Sequence, residues 1–302
     1  MFTISVPASS ANIGPGFDSA GVAVSRYLTL QVTESEEWQF THTTNSIPSV
    51  RHYRDHYIYK VAKQVADWHD SPLTACYVTM DSEIPLARGL GSSASAIVAG
   101  IELANQLCEL RLTEDQKLAY AVKIEGHPDN VAAALLGGFV VTVKMGDEAS
   151  YKKLPAIQTD LVVYIPNFEL KTEDARKVLP EEFLMKDAAT ASGVSNLMIS
   201  ALLTGDYELA GKMMESDLFH ESYRAKLIPN YFDIRSEARK LGAFGTVISG
   251  AGPTMISFVP NGQGPIIAEQ MRTILPDYEV DALQLDEKGL QVKIDIPITE
   301  KD

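Results

Sequence analysis

The run Pro85-Leu86-Ala87-Arg88-Gly89-Leu90-Gly91-Ser92-Ser93-Ala94-Ser95 joins two glycines to the start of a helical pattern. Glycine lets the backbone turn tightly and approach a ligand with no Cβ in the way. The first N–H groups of the helix that follows are free, and they sit at its positive end, so the run suits an anion. Ser92, Ser93 and Ser95 add hydroxyls that can donate to phosphate or ligate a hard cation. The dipole supplies only ~0.3–2 kcal/mol, so several N–H bonds and a metal would have to share a polyphosphate. Read alone, a Ser-capped Gly turn explains the run equally well. A Walker A loop is excluded, because no Lys follows the last Gly. A dinucleotide fingerprint is excluded too, because Ala94 stands where its third Gly belongs.

Three further segments carry polar chemistry. Pro7 to Asp18 is dense in turn formers and holds Asn12 and Asp18. Asp18 suits an ammonium group, or caps a helix. Ser249-Gly250-Ala251-Gly252-Pro253-Thr254 lies between two strand patterns and reads as a close backbone approach or a plain hairpin. Glu125-Gly126-His127-Pro128-Asp129-Asn130 packs four functional side chains into six residues. Glu125 offers the oxygen that Mg²⁺ prefers. Asp129 and Asn130 equally suit a helix start, and a lone His127 is more often structural than catalytic.

The elements that must position these groups follow from periodicity. Strands are expected at 2–6, 20–33, 74–80, 139–143, 159–165, 244–248, 254–259, 278–284 and 290–295. Helices are expected at 56–69, 92–109, 113–124, 186–204, 206–215, 230–241 and 265–274, with a short one ending at Gly137-Gly138. Helix 92–109 is apolar on several faces and should be buried. Thr113 with Gln116 forms a capping-box pattern. The polar stretch 145–158 marks a domain boundary. The pattern is α+β, in two halves.

The 302 residues, 45% apolar and 22% charged, suit a globular chain. The net charge of −14 argues against nucleic acid, though screening leaves a local anion pocket possible. Cys76 and Cys108 lack metal-ligand spacing and read as reduced core residues. With no basic leader and no long apolar stretch, the expected compartment is the cytoplasm, with no membrane partner.

Together, Pro7 to Asp18, Pro85 to Ser95 and Ser249 to Thr254 resemble, in order and spacing, the three motifs of the GHMP small-molecule kinases. The resemblance spans the whole chain. It implies ATP and Mg²⁺, direct in-line phosphoryl transfer to a metabolite hydroxyl, and a homodimer. It also implies a two-domain fold: an N-terminal ATP-binding domain, 1–155, like ribosomal protein S5 domain 2, and a ferredoxin-like C-terminal domain, 156–302. Thr172-Glu173-Asp174-Ala175-Arg176 and His220-Glu221-Ser222-Tyr223-Arg224 resemble segments of the branch that phosphorylates L-homoserine on the way to threonine.

The resemblance assigns roles. Residues Pro85 to Ser95 hold ATP, with Gly89 to Ser93 around the β- and γ-phosphates. Ser93 and Glu125 hold Mg²⁺, and Thr172 meets the γ-phosphate. Arg176 and Arg224 take the substrate carboxylate, and Asp18 takes its ammonium. Asn12, His127, Asn130 and Gly250 line the substrate, with Asn130 orienting the hydroxyl and Asp129 the alternative, as a base. His56 replaces an Asn expected at the adenine. The rivals are a related kinase of mevalonate or a sugar, and a non-catalytic sensor of ATP and metabolite.

Overall fold

The structure, a computed structural model, describes residues 1–44 and 50–294. Residue 295 of the expected last strand lies outside them, as do 295–302 of the expected second domain.

Two sheets build the molecule. The first holds β1 (Phe2–Ala11), β2 (Ala20–Glu34), β3 (Gln39–His42), β4 (Cys76–Ser82), β5 (Phe139–Met145), β6 (Glu148–Lys153) and β11 (Gln291–Ile294). Its main path runs β11-β1-β2-β4-β3, and β5 joins the far end of β2. Alternation buries Val22, Val24, Leu28, Leu30 and Val32 along β2. Strand β1 outruns the expected 2–6: pairing with β2 continues to Ala11 through an irregularity at Pro7/Ala8. That irregularity accommodates a residue with no N–H.

On this sheet pack α1 (Tyr57–Trp68), α2 (Ser92–Leu107), α3 (Glu114–Glu125) and α4 (Asp129–Leu136). Helix α2 is central, with Ile97, Val98, Ile101, Leu103 and Ala104 all buried. Burying each of the Val, Ile and Leu side chains contributes roughly 1.5–3 kcal/mol. Gly100 lets α1 close in, since a Cβ there would lie 2.7 Å from Val61 Cβ. The Thr113–Gln116 capping box starts α3 as expected.

The second sheet holds β7 (Thr159–Pro166), β8 (Gly245–Ile248), β9 (Met255–Pro260) and β10 (Tyr278–Leu283), in the order β10-β7-β9-β8. Helices α5 (Thr172–Lys177), α6 (Met185–Thr204), α7 (Tyr207–Met214), α8 (Glu221–Arg224) and α9 (Tyr231–Lys240) lie between β7 and β8, and α10 (Gly264–Ile274) between β9 and β10. With the first and third strands, β7 and β9, adjacent in mid-sheet and the last and second at the edges, this is a ferredoxin-like order.

Two expectations need correction. The polar stretch 145–158 is not a plain linker: most of it is the outer arm of the β5–β6 hairpin. Strand β11 returns to pair with β1, Phe2 opposite Ile294, so the expected second domain includes one strand of the first sheet. Cys76 is core, whereas Cys108 is only half-buried. Among the described residues, no helix is long and apolar enough to cross a membrane.

Candidate active site

The three glycine segments form one body. Gly91, at φ 68°, caps the start of α2. A Cβ on it would lie 2.1 Å from Ser9 Oγ. A Cβ on Gly89 would lie 2.4 Å from the Ser249 carbonyl oxygen. Ser249 Oγ donates to Gly89 O (2.6 Å), and Gly250 N–H donates to Ala11 O (3.0 Å). The close approach that the glycines promise is therefore partly to one another.

This body floors a cavity of about 470 Å³ between the sheets. Gly89, Gly91, Ser92, Ser93 and Glu125 line it, and so do Asn12, Asp18, Arg176, Arg224 and Gly250. His127, Asp129, Asn130 and Thr172 line it too. Leu170 N–H donates to Ala87 O (3.2 Å) and draws the segment before Thr172 against the glycine loop.

Ser93 Oγ donates to Glu125 Oε2 (2.9 Å). Burial raises the Glu125 carboxyl's proton affinity, and the Ser93 bond offsets part of that. A cation there would restore the charge that burial disfavours. Two protein oxygens fit Mg²⁺, which keeps several waters and draws its remaining ligands from phosphates. Among the described residues, no group of three or more His, Cys, Asp or Glu could hold a metal by itself.

In the same cavity wall, Arg176 Nη2 lies 2.7 Å from Asp18 Oδ1, and Nη1 lies 3.3 Å from Oδ2. Asp18 has φ 52°, and its N–H donates to Asn12 Oδ1 (3.0 Å). Asn12 Nδ2 donates to Gly250 O (2.6 Å). Both ends of the Asn12 amide are thus engaged, so Asn12 braces the turn rather than chiefly facing substrate. Arg224 is 1% exposed, and burial first, then Arg176, pushes it down to about 10.

Asn130 Oδ1 accepts from Ser9 Oγ (2.9 Å), which fixes the side chain and leaves its NH₂ as a donor. Burial pushes Asp129 up to about 7, although the Asn130 N–H bonds its Oδ1 (2.8 Å). His127 is half-buried, and burial, then Arg176, lowers its proton affinity.

Several expected nucleotide contacts serve the scaffold instead. The Arg88 side chain turns away, donating to Pro166 O and Leu86 O and pairing with Glu169. Leu90, just before α2, and Ala94, in its first turn, are buried in the core. Ser95 is sealed and donates to Pro7 O (2.9 Å). Pro85 lines neither this cavity nor a second, mostly apolar one of about 410 Å³.

The second cavity meets the first at Ser92 and Ser93, and includes His42, His56, Tyr57, Met80, Ile84 and Leu86 in its walls. His56 stacks on Phe40 at 4.0 Å, with its Nε2 3.1 Å from His42 Nε2. Burial pushes it down to about 4, so it stays neutral. A flat apolar base fits beside a polyphosphate cradle. Of these walls, only His56 and Leu86 were legible beforehand. His42 lies on a four-residue strand with no periodic signal, and Met80 and Ile84 are apolar residues with no chemistry of their own to single them out.

The combination of a ferredoxin-like half and a helix-start anion cradle facing a charged pocket defines a small-molecule phosphotransferase architecture. Residues 56–138 match the GHMP kinases N terminal domain, and residues 198–277 match the GHMP kinases C terminal domain. The chain is 51% identical to the homoserine kinase of Oceanobacillus iheyensis, over 97% of this chain and 99% of that one. It is 46% identical to the homoserine kinase of Bacillus pumilus, over 98% and 95%. The solved homoserine kinase of Cytophaga hutchinsonii superposes with a TM-score of 0.82 at 26% identity, covering 97% of each chain. The L. major mevalonate kinase shares the fold, with a TM-score of 0.72 at 18% identity, over 93% and 94%. The chain belongs to the GHMP kinase family.

Proposed function

We propose that the chain transfers the γ-phosphoryl group of ATP to the side-chain hydroxyl of L-homoserine, giving O-phospho-L-homoserine and ADP. The observation that carries this reading is one cavity lined both by a helix-start anion cradle and by side chains of both signs of charge. A zwitterion needs both signs: Asp18 for its ammonium, Arg176 and Arg224 for its carboxylate. Mevalonate has no use for Asp18, and a neutral sugar has none for two arginines. The near-full-length likeness to homoserine kinases supports the same substrate.

In this reading the base of ATP lies in the apolar cavity, and its β- and γ-phosphates face the N–H groups from Gly89 to Ser93. Mg²⁺, held by Ser93 and Glu125, would neutralise charge between those phosphates. Thr172 donates to the γ-phosphate. The Asn130 NH₂ orients the hydroxyl, whose oxygen bonds to Pγ as the Pγ–O bond to ADP breaks, its proton passing to an oxygen of the transferred phosphoryl group. A loose transition state makes little demand on a base, so positioning carries most of the rate. The family resemblance supports a homodimer working in the cytoplasm.

The test is ADP release measured over homoserine, serine, mevalonate and galactose. Turnover with homoserine alone is expected. Turnover with mevalonate or galactose instead would sink the substrate, and no turnover with any would favour a sensor.

A further inference from the structure

We propose that His220, which touches no substrate in this reading, is a positioning residue that aims Arg224 at the substrate carboxylate. The inference rests on the homoserine kinase reading above.

His220 is fully buried. Its Nε2 lies 2.9 Å from Gly14 O, and its Nδ1 lies 3.3 Å from Arg224 Nη1. A carbonyl oxygen only accepts, so Nε2 carries the proton. A guanidinium only donates, so Nδ1 must be the bare acceptor. The two neighbours therefore fix one neutral tautomer. Burial agrees, pushing His220 down to about 4. Asp217, whose Oδ2 lies 3.8 Å from Nε2, is the nearest carboxylate; Asp18 and Arg224 are the other charges felt by the ring.

Arg224 donates through Nη1 to Gly250 O (3.1 Å) as well, and through Nε to Ala175 O (3.1 Å). Among the described residues Nη2 has no hydrogen-bond partner, and Arg224 lines the cavity. Three fixed bonds hold the fork so that its remaining edge meets the ligand. His220 supplies the one bond that comes from a side chain. It also links Arg224 to the Gly14 turn, four residues before Asp18. Its position is set from below, because Asp217 Oδ2 accepts from the His220 and Glu221 N–H groups (2.8 and 2.7 Å).

Two substitutions separate the ring's halves. His220→Asn keeps an acceptor near Nδ1 and loses the donor to Gly14. His220→Gln keeps a donor near Nε2 and loses the acceptor for Arg224. The expected result is that His220→Gln raises the homoserine KM about tenfold or more, with the ATP KM unchanged. His220→Asn should stay closer to the parent. Equal homoserine KM values in the two variants, or equal rises in both KM values, would overturn the proposal. If either variant fails to fold, nitrogen NMR of the parent imidazole decides. A bare Nδ1 at neutral pH supports the proposal, and a protonated one overturns it. Failure of the underlying reading would look different: the unmodified chain itself would release no ADP with homoserine.

Discussion

Asp18 and Arg176 hold each other in a two-bond ion pair across the cavity, carboxylate to guanidinium at 2.7 and 3.3 Å. They are the residues assigned to the two charged groups on the substrate's α-carbon. In the free protein each group is the other's counterion, and a bound zwitterion would present its ammonium to one and its carboxylate to the other. Both side chains are about one-third exposed, so the exchange needs no opening of the core.

Arg176→Ala removes a forked carboxylate donor and leaves Asp18 alone. The homoserine KM should rise by roughly a hundredfold, with the ATP KM little changed. Steady-state kinetics in both substrates check this. Unaltered homoserine kinetics would remove Arg176 from the site.

Glu125→Ala removes one of two oxygens offered to Mg²⁺ and leaves Ser93 Oγ without its acceptor. Turnover should fall by about two orders of magnitude or more, as when a charged transition-state contact is lost. A Mg²⁺ titration of activity checks it. Full activity at low Mg²⁺ would show that the ion is held elsewhere.

Gly91→Ala places a Cβ at φ 68°, 2.1 Å from Ser9 Oγ. Ser9 also bonds Asn130, so the push reaches both the helix start and the hydroxyl-orienting amide. ATP binding by calorimetry should weaken at least tenfold, and the melting temperature should fall, since such strain costs about 1–3 kcal/mol. Unchanged ATP affinity would detach Gly91 from the cradle.

Asp129→Asn tests the buried carboxyl through stability. Its affinity for a proton is higher folded, with a midpoint of about 7, than unfolded. Between the ordinary carboxylate range and pH 7 the folded state holds more protons, so stability falls as pH rises. Above pH 7 the full cost of the buried charge is present. The neutral amide should raise Tm by roughly several degrees at pH 8, and by clearly less at pH 5. An equal change at both pH values would show that burial of the charge is not the cause.

The glycine turns, the capped helix α3 and the apolar helix α2 were legible because each depends on local rules: φ freedom, end satisfaction and periodicity. The strands flanking the glycine turns were legible for the same reason, as alternation survives without partners. What stayed hidden was set at long range. Nothing near Arg88 says that it will turn to Pro166, or that Ser95 will bond Pro7 across 88 positions. Strand β3 is short, and α5 and α8 are too brief for a period. The roles of Asp18, Arg176 and Arg224 came from resemblance, and tertiary folding brings them together across more than 200 residues.

Strand β11 lies against β1, with Phe2 beside Ile294, and this bears on how the protein can be cut. A cleavage after β10 would bare the edge of β1, a ready template for a second chain. The ferredoxin-like half therefore cannot be excised as everything after residue 155 without stripping a strand from its neighbour. A truncation series should stop instead at Leu283, and a partner peptide carrying Gln291–Ile294 should dock back onto the open edge.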